Sequence, residues 1–515
     1  MITLQSYLSG TWQSGNGTPA QLFNPTTEEA IAECSSAGLD MAAAVTYARE
    51  VGGPALRAMT FAERGKLLKA LAAALHEYRE ELIALAIQNG GNTRGDAKFD
   101  IDGATGTLAA YAHFAKDLPD AKFLTDGDSI QLGRTKRWLG QHILVPREGV
   151  AVHINAFNFP GWGMFEKVAC AILAGVPVIE KPGTPTALVA YRMAQITVES
   201  GILPEGAFQF IAGSAGDLLD HLGPQDQLAF TGSAWTGAKL KGHPNLIKNN
   251  THVNIEADSL NAVVFAPSLE TSSDTFGEFV ANTVREMTQK TGQKCTAARR
   301  VFVPKDRVDE VAEEFKAALA RITIGDPAVK GTGMGPVTSK SQFDELREGI
   351  DAFGATGTII CGGSTPAMDK GWFLAPTVVV AKDADEAIYH ERELFGPITT
   401  ILPYDGDRED SALEAARLAN KGGGSLLGAV YCDDPEWARD CIMAMAPWHG
   451  RIWTVSERVA GQATFPGMVL PSMIHGGPGR AGGGEELGGL RGLSEYLQRV
   501  GIQAFGGLIK AEFGG

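Results

Sequence analysis

Cysteine is scarce in this sequence and is never paired. The six residues Cys34, Cys170, Cys295, Cys361, Cys432 and Cys441 contain no CxxC and no zinc-like spacing. That excludes a disulfide framework or a zinc module, so free thiols in a reducing compartment are expected and no metal site is. Positive charge is also in short supply, with 45 Lys+Arg against 60 Asp+Glu and a net charge of -15. Nucleic-acid binding needs a basic stripe that neutralises phosphates, so no nucleic-acid partner is expected. A small anionic cofactor held by a few local donors remains compatible. No uninterrupted apolar run reaches bilayer length. The opening MITLQSYLSG has neither a basic start nor an apolar core of a secretory signal. These absences lead us to expect a cytoplasmic protein without a membrane partner. Internal repeats and long blocks of like charge are missing too.

What is present is ordinary globular composition, 44% hydrophobic and 20% charged, in a chain of 515 residues that is too long for one core. Two or three domains are expected. The first residues read as short strands broken by Gly, Asn and Pro turns. From about 39 to 115 the pattern turns helical, with Leu67, Leu68, Leu71 and Leu75 on one face. LGRTKRWLGQHILVPREG reads as a two-stranded excursion. Strands then alternate with helices from EGVAVHINA to HVNIEA, which implies a parallel sheet covered on both faces. Ligands bind such sheets at the carboxyl ends of their strands. A second alternating region starts near residue 261 and includes a helix with Phe276, Phe279, Val280, Val284 and Met287 on one face. The segment IHGGPGRAGGGEELGGLRG is either a flexible loop or an ordered one whose backbone passes close to a ligand.

Several residues of chemical interest fall at strand ends. Cys295, in QKTGQKCTAARR, has cationic neighbours, and positive charge lowers a thiol pKa from about 8.5; Lys294 in particular is expected to favour the thiolate. Alone, it reads equally as a small buried hydrophobe. Gly232, Ser233 and Gly237 in TGSAWTG open a helix after a strand, where backbone N–H groups suit a phosphate; without GxGxxG, the first reading is a plain turn. Lys181 in EKPGTP is a ribose or phosphate contact or a solvated strand-end lysine. Asn158 in NAFNFPGWG offers an amide N–H to an oxyanion or forms an Asx turn. Glu256 is a tuned base or a structural ion pair. Glu393 and Phe395 in ERELFGP are site residues or a surface acid beside a packing ring. His153 and His252 would be the partners of a cysteine hydrolase, but nothing in the sequence orders them next to Cys295.

The order FNFPGW, EKP, FTGS, Glu256, GQKC and ELFGP resembles the aldehyde dehydrogenase superfamily over nearly the whole chain. REMTQKTGQKCTAARR, IEADSLN and the glycine-rich segment are similar to the branch that acts on CoA-linked semialdehydes in aerobic breakdown of aromatic acids, including the dehydrogenase part of bifunctional ring-opening enzymes of phenylacetyl-CoA catabolism. Those carry a hydratase domain beyond the point where this sequence ends, so a stand-alone dehydrogenase is expected. The resemblance implies an α/β aldehyde dehydrogenase fold. Its parts would be a Rossmann-like cofactor domain from 1–124 and 149–260, a catalytic domain from 261–470, and a bridging region from 125–148 and 471–515. It implies at least a homodimer. It makes Cys295 the nucleophile, Asn158 an oxyanion donor, Glu256 the base that activates water, and Lys167 with Glu495 a proton relay. Around the nucleotide it places Ile154, Asn155, Ala156, Phe157, Lys181, Thr184, Gly216, Phe230, Thr231, Gly232, Ser233, Gly237, Glu393 and Phe395.

Two departures shape the finer expectations. NAD-preferring relatives commonly carry a glutamate three residues after the lysine, where this sequence has Thr184. Loss of that carboxylate removes repulsion against a 2′-phosphate, and a hydroxyl can donate to one; NADP is therefore expected over NAD. The segment after the base is Ala257-Asp258-Ser259-Leu260 in place of the usual Leu-Gly-Gly-Lys. The implied reaction is oxidation of a CoA-linked aliphatic semialdehyde, with 3,4-dehydroadipyl-CoA semialdehyde as the implied substrate. Alternatives are a related aldehyde of phenylacetate breakdown, a general aliphatic aldehyde, an acylating enzyme that passes the acyl group to CoA, or an inactive protein on the same fold.

Overall fold

In the computed structural model, described over residues 1–514, the strand–helix alternation forms two seven-stranded sheets and a three-stranded arm. The first sheet runs in the order His252–Glu256, Gln227–Thr231, Ala151–Ile154, Val178–Lys181, Phe208–Phe210, Ser6–Leu8, Thr11–Gln13. Its first five strands are parallel, and the amino-terminal pair adds an antiparallel edge. From Ala151–Ile154 the chain moves outward through two strands, then crosses back to the other side at Gln227–Thr231. Such a reversal leaves a crevice at the carboxyl ends of the strands on either side of it. The central strands are almost wholly buried and mainly apolar, with buried polar residues such as His153, Gln209 and Gln227 among them. Helix Trp162–Ala174, nearly all buried, is apolar on most faces for the same reason.

The long helical stretch breaks in two. Helix Phe61–Glu77 opens on a capping box of Thr60 and Glu63 and buries Leu68, Leu71 and Leu75, while Leu67 is only partly covered. Tyr78 leaves helical geometry, and a second helix runs from Arg79–Gly90 to the left-handed Gly91. SAGDLLDHLG, expected as a helix, makes only a short 3-10 turn over Leu218–His221.

The second sheet orders Gly357–Cys361, Thr377–Ala381, Ile398–Tyr404, Arg300–Pro304, Ala262–Phe265, Ser425–Tyr431 and His449–Val455, parallel except at its first edge. Helix Asp274–Thr288 buries Phe276, Phe279, Val284 and Met287 against it. In the arm, Leu497–Phe505 pairs antiparallel with Trp138–Pro146 from Leu497↔Pro146 to Phe505↔Trp138, and Leu124–Gln131 completes the sheet. Among the described residues no helix is long and apolar enough to cross a membrane.

The bridging region expected over 471–515 needs a correction. Residues 474–487 do not join the arm: strands Ile474–Gly476 and Glu485–Leu487 pair with each other and pack against the end of strand His252–Glu256. The N–H of Gly484 donates to the Ile255 carbonyl, and that of Ala257 donates to the Ala481 carbonyl. A Cβ on Gly482 or Gly484 would lie 2.3 or 2.4 Å from the Ile255 oxygen. The glycine-rich segment is therefore ordered, and its lack of side chains permits close approach to the strand that carries Glu256. Gly484→Ala is expected to displace that strand end. A shift of about 1 Å at a reacting group costs on the order of 100-fold in rate, which steady-state turnover would show while Tm confirms the fold.

Candidate active site

The loop before Cys295 turns in the left-handed region. Lys290, Thr291 and Gly292 have φ of 52°, 55° and 67°. For the two side-chain-bearing residues this costs about 1–2 kcal/mol each. Compensation comes from Thr291 Oγ1, which donates to the carbonyl of Gly335 at 3.0 Å. A Cβ on Gly292 would meet the Gly396 carbonyl at 2.1 Å, so only glycine fits there. Beyond the turn, Asn261 Nδ2 donates to the carbonyls of both Cys295 and Ala297 at 2.8 Å, clamping the loop to the start of the second sheet.

The basic neighbours of Cys295 do not serve its sulfur through hydrogen bonds. Lys294 Nζ donates to Glu286 at 2.7 Å and Gln289 at 2.9 Å, which corrects the expectation that it favours the thiolate. Arg299 is committed to Glu393 and to the carbonyls of Gly396 and Lys294. Arg300 is committed to the carbonyls of Leu260 and Ala419 and to His390.

What meets the sulfur is His475, whose Nε2 lies 3.5 Å from Cys295 Sγ and 3.0 Å from Glu256 Oε1. The sequence reading missed this residue. Of the histidines it considered, His153 binds Glu180 and Tyr496, and His252 binds Glu495. The available signal was the glycine-rich run itself, since an ordered run of that kind brings its first strand, IHG, against Glu256. Cys295, Glu256, His475 and Asn158 line one cavity of about 480 Å³. The Asn158 side chain makes no hydrogen bond to protein among the described residues, so its amide is free to meet a substrate oxygen.

Burial pushes the Cys295 thiol up, the Glu256 carboxylate adds to this, and His475 opposes both. Burial also pushes Glu256 up, but the imidazole of His475, followed by Lys167, outweighs it and holds the carboxyl at about 2. His475 itself, depressed by burial, is lifted well above its ordinary 6.5 by Glu256 and Cys295. The charged pair of imidazolium and carboxylate is the consistent state of these two groups.

Behind Glu256, Lys167 Nζ lies 3.3 Å from Glu166 and 3.2 Å from Glu486. Glu495 is not there. It pairs with His252 at 2.7 Å on the partly exposed side, so the lysine–glutamate partnership expected of Lys167 and Glu495 is made by Lys167 and Glu486. Both glutamates stand in EELGGLRGLSEY, and spacing alone did not separate them; the short strand Glu485–Leu487 turns Glu486 inward. Burial raises Glu166 to about 8 against the pull of Lys167.

On the other side of Cys295, an open cleft of about 1290 Å³ follows the crevice of the first sheet. Ile154, Asn155, Ala156, Phe157, Lys181, Phe230, Thr231, Gly232, Ser233, Glu393 and Phe395 all line it, as do Glu256 and Cys295. Gly216 does not. It sits in a turn near Met41, outside the cleft. Thr184 lies between the lining residues Gly183 and Pro185 without lining the cleft itself, and Gly237 is buried in its helix against Ile255. Lys181, lowered by burial, has no carboxylate partner among the described residues, so the cleft contains a half-buried ammonium free for an anionic or hydroxyl-bearing ligand. Glu393 is held by Arg299 and the N–H of Ser259, and burial raises it to about 7. Asp258 accepts from the N–H of Ala234 at 2.8 Å, so one donor of the helix following Ser233 is already occupied. A long cleft with a cationic end and a sulfur at the other fits an extended dinucleotide whose reactive ring lies beside Cys295.

The profile of the aldehyde dehydrogenase family matches residues 12–500. The chain is 40% identical over 485 residues to 3,4-dehydroadipyl-CoA semialdehyde dehydrogenase of Aromatoleum evansii, covering 93% of each. Its fold is similar to lactaldehyde dehydrogenase from Escherichia coli, at TM-score 0.85 and 23% identity over 98% of this chain and 99% of that one. It is also similar to a betaine aldehyde dehydrogenase variant from Staphylococcus aureus in complex with NAD+, at TM-score 0.84 and 24% identity over 98% of each chain. The chain belongs to the aldehyde dehydrogenase family and is an oxidoreductase of aldehydes that uses a nicotinamide nucleotide.

Proposed function

We propose that this enzyme oxidises a CoA-linked aliphatic semialdehyde to the free carboxylic acid with NADP, with 3,4-dehydroadipyl-CoA semialdehyde as the substrate that best fits the 40% identical relative. The observation that carries the chemistry is the meeting of Cys295 and Glu256 where the substrate cavity joins the nucleotide cleft. The Cys295 thiolate attacks the aldehyde carbon, and Asn158 with the Cys295 N–H receives the oxyanion. A nicotinamide nucleotide bound in the cleft supplies the hydride acceptor. Loss of hydride from the tetrahedral adduct leaves a thioester on Cys295. Glu256 then takes a proton from water, the hydroxide adds to the thioester carbonyl, and the carboxylic acid leaves as the thiolate is expelled. Lys167 with Glu486 holds charge behind the base. A base for water favours hydrolysis over acyl transfer to free CoA.

NADP over NAD rests on Thr184, which brings no carboxylate to the ribose end of the cleft. For the CoA tail, an exposed cation beside the cavity is Arg285, stacked 4.2 Å over Phe465, whose ring meets the cavity-wall Phe99 at 5.6 Å. Exposed Trp138 and Phe505 on the arm suit a second copy of the chain, and we read the enzyme as a cytoplasmic homodimer of aromatic-acid catabolism. The test is a rate survey of semialdehydes with and without CoA, using both nucleotides at equal low concentration. NADP should lead by roughly tenfold or more, the worth of a charged hydrogen bond, with free carboxylate formed and no CoA consumed. Faster rates with NAD overturn the nucleotide preference, and consumption of CoA overturns the hydrolytic reading.

A further inference from the structure

We infer that His475 is a catalytic residue of this enzyme: its imidazolium holds Cys295 as the thiolate, both as attacking group and as leaving group. This inference deepens the proposed function and rests on Cys295 being the nucleophile.

The geometry is specific. One ring nitrogen, Nε2, faces both Cys295 Sγ at 3.5 Å and Glu256 Oε1 at 3.0 Å. An imidazolium has one hydrogen at that nitrogen, so it bridges two anions and gives its hydrogen to one of them at a time. Before reaction, the thiol proton has moved from sulfur to Nε2, leaving sulfur anionic beside a cation. Attack on the aldehyde carbon forms the S–C bond and removes the charge from sulfur, and the Nε2–H then turns wholly to Glu256 Oε1. That leaves Glu256 Oε2 to take the proton of the attacking water. When the tetrahedral adduct collapses, the S–C bond breaks and the electron pair returns to sulfur, again beside the imidazolium. The ring stays cationic from attack to release, with the nicotinamide nucleotide of the proposed function as hydride acceptor between the two additions and water as the only other reactant.

The surroundings give His475 this part alone. The charged groups facing it are Glu256 and Cys295, with Glu166, Glu486 and Lys167 behind. Burial and Glu256 both push the thiol upward, and His475 is the one cation in hydrogen-bond reach of the sulfur among the described residues. Arg299 and Arg451 lie farther off and are bound to backbone carbonyls. His475 is held in place by pairing of its strand with Glu485–Leu487, which sets its ring between the two reacting groups.

The test is the pH dependence of Cys295 alkylation by iodoacetamide, followed on the Cys295 peptide in wild type, His475→Gln and His475→Ala without substrate. Losing the imidazolium should raise the midpoint by at least one unit and slow alkylation at neutral pH about tenfold or more. Added imidazole should restore His475→Ala, a rescue that a merely structural role does not provide. Ultraviolet thiolate absorption, taken as wild type minus Cys295→Ala, should be present at neutral pH and vanish in the His475→Gln background. Superimposable alkylation profiles in folded variants overturn the inference. So does a wild-type thiolate signal that His475→Gln leaves unchanged. The Glu256→Gln background separates the two readings: a stoichiometric burst of reduced nucleotide with an acyl group on Cys295, together with unshifted alkylation, sinks only the role of His475, while reduced nucleotide released with no acyl group on Cys295 sinks the nucleophile.

Discussion

Cys295→Ala is expected to abolish aldehyde oxidation, with a loss of roughly 10⁶-fold, the scale seen when a covalent nucleophile is removed. The methyl group cannot add to a carbonyl, and no other thiol among the described residues lines the cavity. Cys170, the next cysteine in that part of the molecule, is buried, and burial raises it to about 12, so it does not substitute. Nucleotide affinity should survive, because the cationic end of the cleft at Lys181 and its walls at residues 154–157 do not depend on the sulfur. Equilibrium binding of NADP measured beside turnover checks both halves. Loss of binding together with turnover would mean that the loop clamped by Asn261 had come apart.

Glu256→Gln separates the two half-reactions. The amide is nearly isosteric and keeps an oxygen near His475, but it cannot take a proton from water. A first stoichiometric burst of reduced nucleotide is expected, followed by a stall at the thioester, with steady-state turnover down by about 10²–10⁴-fold, the usual contribution of a general base. Equal loss of burst and turnover would assign Glu256 to the first step and take away its role in hydrolysis. The low position of its carboxyl, at about 2, bears on pH as well. A carboxyl held below its ordinary range stays ionised as pH falls until that value is approached. Any acid limb in the rate above pH 4 therefore belongs to another group.

Much of the frame was legible in the residues. Alternation of apolar strands and amphipathic helices gave the two parallel sheets, because a strand buried on both faces is mainly apolar. FTGS, EKP and HVNIEA fell at carboxyl ends of strands, and the cleft lies there. What could not be read were contacts between segments far apart in sequence. His475 reaches Cys295 across 180 positions because glycines at 482 and 484 let one backbone settle on another. Glu486 and Glu495 stand in one short segment, EELGGLRGLSEY, and only the direction of a three-residue strand decides which faces Lys167. Lys294 looked like an activator from its adjacency to Cys295. Its side chain instead completes a buried pair with Glu286, since an unpaired ammonium there would cost several kcal/mol.

The most direct measurement is the mass of the Cys295 peptide after acid quench of Glu256→Gln mixed with a semialdehyde and NADP. An added acyl group on Cys295, absent without nucleotide, is the expected result. An unmodified Cys295 peptide in a sample that has already released its reduced nucleotide would contradict covalent catalysis at this sulfur.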